Sequence, residues 1–196
     1  LMEELEREKQ PKVQVLNAGR VQMVEVKPEL DAITPPAARD AEVWKPSVFI
    51  SYAHRDERLK DELVMRLKVF QAAGSMGQVW TDRMLEAGDP WDSRIKSEVE
   101  GADVVILLLS NAALASDYIR TKELAVALSR HAKGEAAVVP IVLERCNWEM
   151  FEELKNLQAL PMDAKPVREW KPQNAGWFRV TEALRGKLES MRKEKR

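Results

Sequence analysis

The ten residues Ser47-Val48-Phe49-Ile50-Ser51-Tyr52-Ala53-His54-Arg55-Asp56 run from an apolar segment straight into a polar loop. Val48–Tyr52 is short and rich in β-branched and aromatic side chains, which predicts a strand. Beyond Asp56, Leu59, Leu63, Leu67 and Phe70 recur at spacings of four, four and three, the buried stripe of an amphipathic helix that begins near Glu57. Asp56 is placed to cap that helix.

Outward from this unit the same alternation continues. Further strands are predicted at Gln78–Thr81, Val104–Leu109, Ala137–Leu143 and Val167–Glu169. Trp91, Ile95, Val99 and Ala102 repeat the helical spacing, and further helices are expected from about Leu114 to Ala132, Trp148 to Leu157 and Ala175 to Met191. Strands alternating with helices imply an α/β fold, here a flavodoxin-like five-stranded parallel sheet of order 2-1-3-4-5 with helices on both faces. Ligands of such sheets sit beyond the carboxyl ends of the strands at the switch point. That rule selects Tyr52–Asp56, Asp82–Asp89 and Ser110–Glu123 as candidate site segments.

Residues 1–46 differ in style. Glu3–Gln10 reads as a charged helical stub. Val13 and Val15, then Val21, Met23, Val24 and Val26, flank Asn17-Ala18-Gly19 as the arms of a short hairpin. Asp31–Pro46, with Pro35-Pro36 and Lys45-Pro46, reads as a Pro/Ala-rich linker. This N-terminal extension is expected to be the tail of an upstream domain, and residues 47–190 the main domain. A start at Leu1 is likewise expected of a piece of something longer.

Composition narrows the function. The 196 residues are 45% hydrophobic and 32% charged, enough for one globular domain with extra chain. A formal net charge of -1 provides no basic field, so neither nucleic acid nor membrane is an expected partner. The longest apolar run, Val104–Leu109, is too short to span a bilayer. Cys146 is the single cysteine and has no metal-ligand pattern around it, which points to a reducing, cytoplasmic compartment and no metal. The absence of GxGxxG and GxxxxGK[ST] argues against a dehydrogenase or NTPase. A receiver-like flavodoxin fold would need an acidic pair after the first strand, and none is there.

Three segments also carry a family resemblance. The first is Ser47–Asp56, with its Phe49-Ile50-Ser51-Tyr52. The second is Val79-Trp-Thr-Asp-Arg-Met-Leu-Glu-Ala-Gly-Asp89. The third is Leu108-Leu-Ser110, followed by Ala115-Ser-Asp-Tyr-Ile-Arg-Thr-Lys-Glu-Leu124. In this order and spacing they resemble a TIR (Toll/interleukin-1 receptor-like) domain of the prokaryotic NAD-cleaving type. Members of that family either assemble with other TIR domains as adaptors or hydrolyse NAD+ at its bond to nicotinamide. Fold alone does not separate the two.

What the resemblance implies is an NAD+ glycohydrolase in a signalling or defence protein, activated by self-association, with NAD+ as substrate and no cofactor. The alternative is a non-catalytic TIR–TIR interaction module. The nicotinamide of NAD+ already carries positive charge and departs neutral, so no general acid is needed. The site must instead stabilise an oxocarbenium-like ribose, as a glycosidase carboxylate does. By resemblance and by position in the helix after the third strand, Glu123 is the catalytic candidate. The competing reading of Glu123 is a solvated helix charge paired with Arg120.

Substrate contacts are implied for Ser51, Tyr52, Arg55, Trp80, Asp82, Leu85 and Ile119. Ile119 occupies the position, four before the glutamate, where many NAD-cleaving relatives have an aromatic residue. Tyr118 lies about 140° away around the helix and does not take its place. Met84 and Leu85, on the loop after the second strand, are the candidate partner interface, and Gly88 and Pro90 mark that loop as feeding a helix.

Overall fold

The computed structural model describes residues 12–17, 20–25, 44–81, 91–117 and 123–195. The chain divides into two units, Leu1–Val43 and Trp44–Arg196. In the first, β1 (Lys12–Asn17) pairs antiparallel with β2 (Arg20–Glu25), in register from Lys12 opposite Glu25 to Asn17 opposite Arg20. The expected helical stub and the linker up to Val43 lie outside the described residues.

The second unit is built on four parallel strands, β3 (Val48–Ser51), β4 (Val79–Trp80), β5 (Val104–Leu109) and β6 (Ala137–Val142), in spatial order β4-β3-β5-β6. Its helices are α1 (Glu57–Ala72), α2 (Trp91–Gly101), α3 (Asn111–Ala115), α4 (Ala125–Ala132), α5 (Glu152–Lys155) and α6 (Gln173–Glu194). Strand residues alternate between two apolar layers, as a two-residue side-chain period requires. Val48, Ile50, Ile106, Leu108 and Ile141 face α1 and α6. Phe49, Val105, Leu107, Leu109 and Val142 face the layer of α2 and α4. Every residue of β3, β5 and β6 is buried, which is why these strands read as continuous apolar runs.

The expected fifth strand is absent, so the order is 2-1-3-4 rather than 2-1-3-4-5. Val167–Glu169 forms a 3-10 turn instead. Beside β6 the ladder is one residue long: Leu160 N–H donates to the Pro140 carbonyl at 2.8 Å, and Val142 N–H donates to the Leu160 carbonyl at 2.8 Å. Pro161 follows and has no N–H to continue the pairing. Val167 is apolar because its side chain is wholly buried in the α1/α6 layer.

Two expected helices are also broken. The segment expected as one helix from Leu114 to Ala132 contains the end of α3, extended backbone at Ser116, and a π-type turn at Glu123–Leu124 leading into α4. The Trp148–Leu157 segment is a 3-10 turn (Trp148–Met150) and the four-residue α5, separated by Phe151 in an extended conformation.

Entry into the sheet depends on a backbone approach that only glycine permits. Gly77 N–H donates to the Pro46 carbonyl at 2.9 Å, and a Cβ on Gly77 would lie 2.8 Å from the Lys45 carbonyl oxygen. The obstacle is backbone on both sides. Gly77→Ala is therefore expected to lower stability by about 1–3 kcal/mol through overpacking, read as a fall in the urea midpoint at unchanged slope.

Candidate functional site

The chain steps from β3 sideways to β4, then crosses to β5 on the other side, so the switch point lies between β3 and β5. Ser51 ends β3, in register with Leu107. Strand alternation turns its side chain into the layer of Phe49 and Leu107, and there its hydroxyl donates a hydrogen bond to Glu123 Oε2. Both partners are buried, Ser51 at 2% exposure and Glu123 at 7%. That burial overturns the reading of Glu123 as a solvated surface charge.

The π-type turn at Glu123–Leu124 anchors itself through Leu124, which packs in the same layer. Such turns recur at functional sites. A void of about 20 Å³ adjoins Ser51, bordered also by Ala113, Leu114, Leu124 and Leu154.

A second buried carboxylate lies at the same end of the sheet. Asp56 is 3% exposed, ending the 3-10 turn His54–Asp56. The expected helix cap is not made: its side chain bonds no backbone N–H of α1. It accepts instead from the Ser110 hydroxyl and, at 3.1 Å, from Arg168 Nη2. Arg168 Nη1 also lies 3.4 Å from Glu144, whose Oε1 accepts from the Asn111 backbone N–H at 3.1 Å and Asn111 Nδ2 at 3.2 Å. Long-range pairs pull the side chain off the helix end.

Burial pushes the Asp56 carboxyl above its ordinary value of 3.8, opposed by the Ser110 hydrogen bond and by Arg168, with Glu144 adding to the rise. A raised folded-state pKa means that the native state holds this proton more tightly than the unfolded chain. Stability from this group is present below 3.8 and is lost as pH rises through the folded-state pKa. The stability of the wild type relative to Asp56→Asn is therefore expected to be greater at about pH 4 than at about pH 7, by urea unfolding at both.

The other predicted residues are dispersed. Tyr52 follows Ser51 but enters the opposite layer, with the Lys60 ammonium 5.2 Å from its ring centroid and His54 edge-on at 6.3 Å. Arg55 is exposed on the 3-10 turn. Trp80 is 4% exposed and stacks on Phe49 with centroids 5.3 Å apart. Asp82, Met84, Leu85 and Ile119 lie outside the described residues.

Sequence reasoning placed Ser110 and Asn111 in a candidate segment without giving either a role, and it missed Glu144 and Arg168. Ser110 carried a signal, a serine directly after a strand and three residues before Ala113, whose N–H its hydroxyl accepts at 3.1 Å. Arg168 carried none, since its partner Asp56 is 112 residues away. A cleft of about 670 Å³ also opens past β6, lined by Asn111, Arg145, Cys146, Trp148, Lys165 and Glu169 among others. None of the described candidates Ser51, Tyr52, Arg55, Trp80 and Glu123 borders it. Burial pushes its Cys146 thiol up to about 11, which leaves it protonated near neutrality. Among the described residues no His, Cys, Asp and Glu side chains group to hold a metal ion, and no helix is long and apolar enough to cross a membrane.

Residues 48–175, more than half of the chain, match the family model described as TIR domain. The chain is similar to the uncharacterized protein y4lF of Sinorhizobium fredii (strain NBRC 101917 / NGR234), with 36% identity over 140 residues. That alignment covers 71% of this chain and 43% of y4lF, so the chain spans less than half the length of this curated relative. Among solved structures it is similar to the TIR domain of the Toll-related receptor TRR-2 from Hydra magnipapillata. The TM-score is 0.47 and the identity 19%, over 70% of this chain and 97% of that one.

Proposed function

The chain belongs to the TIR domain family, and on that premise we propose that it is an NAD+ glycohydrolase, cleaving the nicotinamide–ribose bond to give nicotinamide and ADP-ribose or a cyclic form. The observation that carries the reading is the buried Glu123 carboxylate, held by the Ser51 hydroxyl beside the switch point of the sheet. A carboxylate shielded from water interacts with a developing cation far more strongly than a solvated one does. Departure of neutral nicotinamide leaves that cation on the ribose, and Glu123 stabilises it. Ser51 orients Glu123. Association with other TIR domains activates the reaction, in the cytoplasm and within a signalling or defence protein. Asp82, Leu85 and Ile119 contribute the substrate-facing wall, and Met84 and Leu85 meet the neighbouring copy.

The test is nicotinamide release from NAD+ by the wild type and by Glu123→Ala, with the protein dilute and artificially clustered. Release by the clustered wild type and not by Glu123→Ala is the expected result. Equal release by both removes Glu123 from the reaction. Release by neither, even when clustered, leaves a non-catalytic TIR–TIR interaction module as the function.

A further inference from the structure

Two serine–carboxylate bonds cross at the switch point. Ser51, ending β3, donates to Glu123, which arrives after β5; Ser110, just past β5, donates to Asp56, which arrives after β3. The reaction proposed above uses only the first. A carboxylate buried to the extent of Asp56 persists only with strong partners, and it has two in Ser110 and Arg168.

The Ser110 hydroxyl makes two bonds of opposite sense. It donates to Asp56 and accepts the Ala113 N–H at 3.1 Å, capping α3. An ionised carboxylate accepts only, so Asp56 fixes the direction of the Ser110 proton and leaves a lone pair for the cap. At five residues, α3 is too short to hold itself together and depends on such contacts. It also opens the segment that runs to Glu123. Ala113 and Leu114 of α3 border the same void as Ser51 and Leu124. Movement of α3 therefore moves a wall of the space beside Ser51, the donor to Glu123, and beside Leu124, the residue next to it.

Resting on the NAD+-cleaving reading, we propose that Asp56 is a positioning residue for Glu123, acting through Ser110 and α3, with Arg168 tying it to Glu144 after β6. Asp56 stabilises one placement of α3 and so one placement of the Glu123 carboxylate, and it does not itself touch the ribose. A misplaced carboxylate weakens stabilisation of the cation without weakening substrate binding, so the effect falls on kcat.

The experiment compares steady-state nicotinamide release by the clustered full chain for wild type, Asp56→Ala, Asp56→Asn and Ser110→Ala. Asp56→Ala is expected to lower kcat roughly 10- to 100-fold, with KM within roughly twofold of wild type. Asp56→Asn keeps an acceptor for the Ser110 proton and recovers most of that loss. Ser110→Ala breaks the relay at its middle and reproduces the kcat effect, which keeps the test alive if Asp56→Ala does not fold. Wild-type kcat in the alanine variants, or a loss confined to KM, overturns the proposal.

Amide hydrogen exchange supplies an arm independent of activity. Asp56→Ala, or Ser110→Ala in its place, is expected to speed exchange across residues 111–127 while leaving α6 unchanged. Unchanged exchange across 111–127 overturns the positioning role even if no variant releases nicotinamide, an outcome in which the activity reading fails separately.

Discussion

Glu123→Gln is expected to slow nicotinamide release by roughly 10²–10³-fold, the scale seen when one preorganised electrostatic stabiliser is removed from an active site. Glutamine has nearly the shape of glutamate and still offers a carbonyl oxygen to the Ser51 hydroxyl, so the buried contact survives. What disappears is the negative charge. Because nicotinamide leaves without needing a proton, there is no acid catalysis to confuse the result.

Glu123→Asp tests the geometry rather than the charge. It keeps the carboxylate but draws it back by one methylene, about 1 Å, away from Ser51 and the reacting carbon, and a displacement of that size can lower the rate on the order of 100-fold. Initial rates of nicotinamide release from clustered protein measure both variants, with thermal melting as the check on folding. A rate for Glu123→Gln within roughly threefold of wild type would mean that its charge does not act in the transition state.

Trp177→Ala is expected to lower stability by about 3–5 kcal/mol, the range for losing a fully buried large aromatic side chain. Trp177 is wholly buried in the α1/α6 layer. Its Nε1–H donates to Glu62 Oε2 at 2.7 Å, and the Arg66 guanidinium lies 5.6 Å from the ring centroid. Truncation therefore removes apolar contacts and also deprives a partly buried carboxylate of its donor. Against a typical domain stability of about 5–15 kcal/mol, that is a large share. Trp177→Phe keeps the ring without the N–H and is expected to lose about half as much or less. Urea unfolding followed by far-UV circular dichroism distinguishes the two. A loss below about 1 kcal/mol for the alanine variant would place α6 outside the cooperative core.

Local pattern was a sufficient guide where one element's own side chains decide its conformation. The strand β5 was legible to the residue because all six of its positions are apolar and buried on both faces. The leucine stripe of α1 was legible for the same reason, since Leu59, Leu63 and Leu67 all reach the core. Val167–Glu169 was misread because a buried valine looks the same in a strand and under a 3-10 turn. Leu160 takes the place beside β6 instead, and Pro161 directly after it has no N–H to extend the pairing. The break between α3 and α4 escaped for a related reason: no Gly or Pro marks the extended backbone at Ser116 in advance.

By itself, then, the sequence determined the α/β class and the parallel core strands, and the family resemblance added Glu123 as the carboxylate to test. The class and the strands follow from side-chain periodicity, which is a local property of the chain. Only the tertiary structure decided that Glu123 is buried and bonded to Ser51, and that Asp56 leaves the helix end for Ser110 and Arg168. Each of these is a contact between residues dozens of positions apart, and its energy comes from shared burial. No single stretch of chain contains both partners.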